Sequence, residues 1–136
     1  MVNFTVDATI DSLDIILEKL EEMLGDKEFS PKTMMQIHIA IEELFVNIAH
    51  YAYPEDAPGK AEIVMDIDDD DVVTIIFKDN GQPYNPLAKE DPDVTLSAEE
   101  RAIGGLGIFM AKKSLDSMEY KYVNNQNVLT IKKKFV

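Results

Sequence analysis

Three short stretches of the sequence carry residue types at spacings that could do chemistry. In Glu43-Leu-Phe-Val-Asn47 a carboxylate and an amide stand four residues apart, so on a helix they stack on one side. An asparagine oxygen can ligate Mg²⁺, and a glutamate can act as a base or hold a water. A plain polar helix face would use the same pair. The second stretch, Asp79-Asn-Gly-Gln-Pro83, directly follows an apolar run. A carboxylate at a strand end, followed by a glycine that permits close backbone approach, suits an exocyclic amine such as adenine N6. Asn-Gly is also ordinary turn chemistry. The third, Gly104-Gly-Leu-Gly107, opens a helical pattern. Exposed amides at a helix N-terminus can hold phosphates, and a loop hinge would use the same glycines. The spacing is not that of a P-loop, and a long polar stretch rather than a strand precedes it, which excludes a Rossmann fingerprint.

Other candidates read as structure. Asp68-Asp-Asp-Asp71 is a solvated hairpin turn: consecutive carboxylates diverge, whereas Ca²⁺ loops space their ligands and include a glycine. His38 and His50 are too far apart in sequence to share a metal through one helix face. Each reads as a packing or surface histidine, and Glu42 as solvated.

The elements that must position these residues follow from periodicity. Asn3-Phe-Thr-Val-Asp7 alternates as a short strand. Thr9 can cap a helix with apolar residues at Ile10, Leu13, Ile16, Leu17, Leu20, Met23 and Leu24, stopped by Gly25. Ser30-Pro31 opens a second helix that runs to about Ala52. Its core stripe is Met34, Ile37, Ile41, Leu44, Phe45 and Ile48. Glu43 and Asn47 lie roughly 110–150° around from that stripe, where a helix meets the rim of a cleft. Strands are expected over Ala61–Ile67, Val72–Lys78, Glu119–Val123 and Val128–Phe135, and a helix over Ile108–Leu115. Asn124-Asn-Gln-Asn127 is expected as the last hairpin turn. The polar, acidic stretch from Leu87 to Ile103 is about as long as an ordered loop gets before it signals a function. Strands grouped in hairpins imply an α+β two-layer sandwich, its mixed sheet largely antiparallel with helices on one face.

Composition bounds the function. The 136 residues hold 13 Lys+Arg against 26 Asp+Glu, a net charge of −13, with 46% hydrophobic residues and no cysteine. That length supports one core, so one domain over residues 1–136 is expected. Thiolate metal sites and thiol nucleophiles are excluded. The charge opposes direct nucleic-acid binding, though a small polyphosphate remains possible where a metal and helix ends meet its charge. With no apolar run near ~18 residues and no leader-like start, a cytoplasmic location is expected, away from membranes.

Taken in order, helix Glu-x3-Asn, strand–Asp-x-Gly, then a long loop ending in Gly-Gly-x-Gly and a helix, the sequence resembles the GHKL (Bergerat-fold) ATPases. Within them it is most similar to the bacterial anti-sigma-factor serine kinases, which regulate transcription. Glu43-Leu-Phe-Val-Asn47 looks like the N-box, Asp79-Asn-Gly-Gln-Pro-Tyr-Asn-Pro86 like the Asp-x-Gly box, and Gly104-Gly-Leu-Gly-Ile108 like the second glycine box. Asn127-Val-Leu-Thr-Ile-Lys-Lys133 is similar to the last strand. The resemblance implies a histidine-kinase-like ATPase fold binding ATP and Mg²⁺. It implies Glu43 as general base, Asn47 on Mg²⁺, Asp79 reading adenine, Gly81 letting the base approach, and Gly104, Gly105, Leu106 and Gly107 along the phosphates. Leu87–Ile103 would be the ATP lid, from which Lys89 or Arg101 could reach the γ-phosphate. The implied activity is a serine/threonine-protein kinase acting on a STAS-type anti-anti-sigma protein and able to hold a sigma factor, working as a homodimer. A nucleotide-dependent protein-binding switch without phosphate transfer uses the same pocket and is the alternative.

Overall fold

The computed structural model describes residues 1–25, 27–54, 56–86 and 105–135, with side chains of the last stretch described from 108 on. The expected lid, with Lys89 and Arg101, and Gly104 lie outside the described residues. The elements run β1 (Val2–Asp7), α1 (Leu13–Leu24), α2 (Pro31–Tyr51), β2 (Lys60–Ile67), β3 (Val72–Asp79), α3 (Gly105–Ser114), β4 (Ser117–Val123) and β5 (Gln126–Lys134). The strands form one sheet in the order β1-β2-β3-β5-β4. Every ladder among the described residues is antiparallel, in keeping with the largely antiparallel sheet expected.

Local chemistry sets the helix ends. Pro31 stands in the first turn of α2, and the Ser30 Oγ accepts the Thr33 N–H at 3.1 Å, satisfying one of the helix's unpaired donors. α1 stops at Gly25, whose φ of 60° favours a residue without Cβ. Thr9 does not cap α1: its side chain makes no capping bond, and a 3-10 turn at Ile10–Ser12 comes first, leaving Ser12 at the cap. Helix α3 begins at Gly105 rather than Ile108, so Gly105 and Gly107 belong to its first turn.

Alternation along the strands puts one face of the sheet against the helices. On β3 that face is Val73, Ile75, Phe77 and Asp79, all buried. Val73, Ile75 and Phe77 share the core with Ile16 and Leu20 of α1 and with Ile37, Ile41, Leu44 and Phe45 of α2, each at 1% exposure or less. Fully burying one such side chain stabilises by about 1.5–3 kcal/mol, which fixes the rotation of α2 about its axis and therefore which side chains reach its rim. No helix among the described residues is long and apolar enough to cross a membrane.

The two hairpin tips differ. At 68–71 the Asp68 Oδ1 accepts the N–H groups of Asp70 and Val72, while Asp71 turns to Lys27 Nζ at 2.7 Å. The carboxylates diverge, and no group of three or more metal-type side chains occurs among the described residues. In the β4–β5 hairpin, Val123 pairs with Gln126, so the turn is Asn124-Asn125 alone, with φ of 55° and 62°. This two-residue left-handed turn suits the twist of the strands and returns Asn127 to the sheet, where the sequence pattern had suggested a longer turn. Replacing Asn125 by Val should lower stability by about 1–2 kcal/mol because left-handed backbone penalises a Cβ-branched residue. Asn125→Gly should match or exceed wild type in a denaturant titration.

Candidate functional site

The site lies where the C-terminal half of α2 faces the ends of β3 and β5. Asp79 closes the buried row of β3, and Asn127 stands directly across the ladder from it. Both are polar positions on the core side of their strands, at 4% and 5% exposure, so each must find partners. The Asp79 Oδ1 accepts the Gly81 N–H at 2.9 Å and the Asn127 Nδ2 at 2.8 Å. No hydrogen bond among the described residues reaches Oδ2. Burial raises the Asp79 pKa above its ordinary 3.8, and the bonds from Asn127 and Gly81 pull it part of the way back.

Asn127 itself donates a second bond to the Gln82 carbonyl at 2.9 Å and accepts the Tyr84 N–H at 3.1 Å and the Tyr120 hydroxyl. On α2, Asn47 is buried and donates from Nδ2 to the Glu43 carbonyl at 2.7 Å. Its Oδ1 is thereby turned away from the helix backbone, toward the Tyr84 hydroxyl at 3.5 Å. A neutral amide oxygen held in this way is the hard, single-atom donor that suits Mg²⁺, an ion that keeps most of its waters and substrate phosphates. Glu43, one turn earlier, is half-buried. Desolvation raises its carboxyl pKa above 4.5, and the neighbouring Glu42 adds to the rise.

Gly81 has a reason beyond ligand approach. A Cβ there would lie 2.1 Å from the Ala52 carbonyl oxygen. The Gln82 N–H donates to that oxygen at 2.8 Å, and Gln82 Nε2 donates to the Tyr51 carbonyl at 2.6 Å. The loop after β3 thus satisfies the end of α2. Tyr53 strengthens the seam, donating to the Lys60 carbonyl at 2.7 Å and accepting the Asn80 N–H at 2.9 Å.

Leu44, Asn47, Phe77, Asp79, Tyr84 and Asn127 are among the residues that enclose a cavity of about 20 Å³, room for roughly one water. Tyr84 stacks on Tyr51 at 5.0 Å between centroids, and its ring is part of the wall. A cavity of this size does not hold a purine. A wider surface groove of about 850 Å³ lies beyond the Ala52–Gly81 seam; neither Asp79 nor Asn47 lines it.

The structure brings Asn47 and Asp79 to one cavity, with Glu43 one turn along the same helix and Gly81 in the seam beside it. Gly105 and Gly107 are placed by backbone only, as is Leu106. Asn127, Tyr84 and Tyr120 were not anticipated. The signal for Asn127 was present: Ile131, Leu129 and Asn127 share one strand face at a spacing of two.

The five-stranded antiparallel sheet beneath helices, with its pocket between a helix and the strand ends, has the architecture of solved kinase-type domains. The family model described as "histidine kinase-like ATPase domain" matches residues 6–133, and the chain belongs to that family. Among its relatives, the serine-protein kinase RsbW of Bacillus mycoides is 26% identical over 135 residues, covering 96% of this chain and 83% of the relative. A Mycobacterium tuberculosis structure of RsbU and RsbW domains superposes with a TM-score of 0.64 at 18% identity over 98% of this chain. The histidine kinase domain of a blue-light-activated kinase from Erythrobacter litoralis gives 0.61 at 12% over 96%. The chain spans 32% and 62% of those two proteins, and both likenesses are of fold.

The raised Asp79 pKa has a stability consequence with a definite sign. The folded state holds the proton more tightly than the unfolded state, so the associated stability is present below about 3.8 and is lost as pH rises through the folded pKa. Asp79→Asn carries no charge to bury. In urea unfolding from pH about 4 to about 8, the stability of Asp79→Asn relative to wild type should rise with pH and then level off.

Proposed function

We propose that this chain binds ATP with Mg²⁺ and transfers the γ-phosphoryl group to a serine of a partner protein of the STAS anti-anti-sigma type, and that it also holds a sigma factor. The observation that carries the reading is the buried Asp79 carboxylate, one oxygen committed and the other taking no hydrogen bond among the described residues, facing the same cavity as Asn47. Membership of the ATPase-domain family and the serine-protein kinase among its relatives support it.

Each group then has a task set by its surroundings. Asp79 Oδ2 would accept the 6-amino group of adenine. Asn47 Oδ1 would hold Mg²⁺, which when bound neutralises charge on the β- and γ-phosphates. The backbone amides of Gly104 to Gly107 would face the phosphates, and Arg101 from the expected lid would reach the γ-phosphate. Glu43 would take the proton from the seryl hydroxyl as that oxygen bonds to the γ-phosphorus and the bond to the bridging oxygen breaks, releasing ADP. Its raised pKa brings it closer to the operating pH at which a base works best.

Labelled ATP and the STAS-type protein encoded nearest to this chain test the proposal. Wild type should transfer phosphate to the partner. Glu43→Gln should lower transfer by roughly 10²–10⁴-fold with nucleotide affinity kept. Asn47→Ala should lose most of the Mg²⁺ enhancement of ATP binding in calorimetry. ATP binding and partner binding without transfer by wild type would instead establish a nucleotide-gated switch.

A further inference from the structure

We propose that Asn127 is the positioning residue that decides which purine edge the site accepts, by engaging Asp79 Oδ1 and leaving Oδ2, which takes no hydrogen bond among the described residues, as the acceptor. The proposal rests on the reading of Asp79 as the base-recognising group and deepens it.

An asparagine amide offers two donor hydrogens and two acceptor sites, and Asn127 uses all four. Nδ2 gives one hydrogen to Asp79 and one to the Gln82 carbonyl; Oδ1 takes the Tyr84 N–H and the Tyr120 hydroxyl. The orientation is forced. A flipped amide would set its NH₂ against the Tyr84 N–H and its oxygen against the Gln82 carbonyl, a clash of like groups on both sides. Asp79 therefore always meets a donor from Asn127 at Oδ1, alongside the Gly81 N–H.

An acceptor at Oδ2 matches the 6-amino group of adenine and opposes the 6-oxo group of guanine or hypoxanthine. A carboxylic acid at the same place could donate to a 6-oxo group. Which of the two the site presents depends on how well the charged form of Asp79 is held against burial, and the Asn127 bond is the larger of the two hydrogen-bond effects opposing that burial. The ionisable groups that face it are Tyr53 after α2 and Tyr120 on β4. Tyr84 lines the same cavity from the loop after β3. No ion pair with a lysine or arginine is found for Asp79 among the described residues. The positive charge that could replace Asn127 is thus missing there.

Competition between ATP and ITP, measured by calorimetry from pH about 6 to about 8, tests this with wild type, Asn127→Leu and Asn127→Thr. Wild type should prefer ATP at every pH in that range. Asn127→Leu, of similar size without a donor, should lose about tenfold or more of that preference, with the loss deepening toward low pH. Asn127→Thr, which keeps one hydroxyl donor, should restore most of it. Weaker binding of both nucleotides by one pH-independent factor in Asn127→Leu would overturn the proposal and leave Asn127 a packing residue. Should Asn127→Leu not fold, wild type still decides, because a preference that collapses between pH about 8 and about 6 would overturn the idea that Asp79 is held as an acceptor. Wild type without any ATP preference would overturn the adenine reading of Asp79, and the inference with it.

Discussion

The carbonyl oxygen of Ala52 and the α-carbon of Gly81 approach so closely that only hydrogen fits between them. A methyl group built on Gly81 would sit 2.1 Å from that oxygen and 2.5 Å from its carbon, and both are backbone atoms that cannot turn aside. The contact ties the exit of β3 to the end of α2, two elements that share a core. It sets where the Gly81 N–H points, and hence one of the two bonds on Asp79. It also brings Gln82 to the last carbonyls of the helix. Every other relation in the site is measured from this seam. Asn47 lies five residues before it along α2, and Asp79 two residues before it on the chain.

Two carboxylates near the cavity have pKa values raised by burial, yet their surroundings differ. Asp79 is compensated by two donors, which keep its charge from being wholly uncompensated in the interior. Glu43 has no comparable donors among the described residues and faces the like charge of Glu42. Carboxylates whose environments differ in this way can take different work, one as a fixed acceptor and the other as a proton acceptor poised to change state.

Much of this was legible in the sequence. The spacing of Ile37, Ile41, Leu44, Phe45 and Ile48 defines the rotation of α2, and the Glu43–Asn47 pair then falls on its rim by geometry alone. The alternation Val73, Ile75, Phe77 leads straight to Asp79 on the core side. What escaped is instructive. Asn124-Asn-Gln-Asn127 reads as turn by composition, because asparagine tolerates left-handed backbone, and only two of the four residues use that tolerance. The others continue the ladder, and the strand period carries more information there than residue type. The start of α3 was misplaced for a related reason. Glycines disfavour helix interiors but are accepted in a first turn, where the unpaired amides lie.

The hydrogen bonds that meet at Asn127 reach residues 7, 43, 45 and 48 positions away in the chain. Three of the four partners lie more than 40 residues away, so the cluster cannot form within the β4–β5 hairpin alone. Such contacts carry a loop-closure cost that is met only when the distant segments arrive together. The site is therefore complete only once β3, the loop after it and the β4–β5 hairpin are all in place. A ligand held there distinguishes the finished fold from everything before it, and stabilises that fold by an amount that grows with the ratio of ligand concentration to Kd.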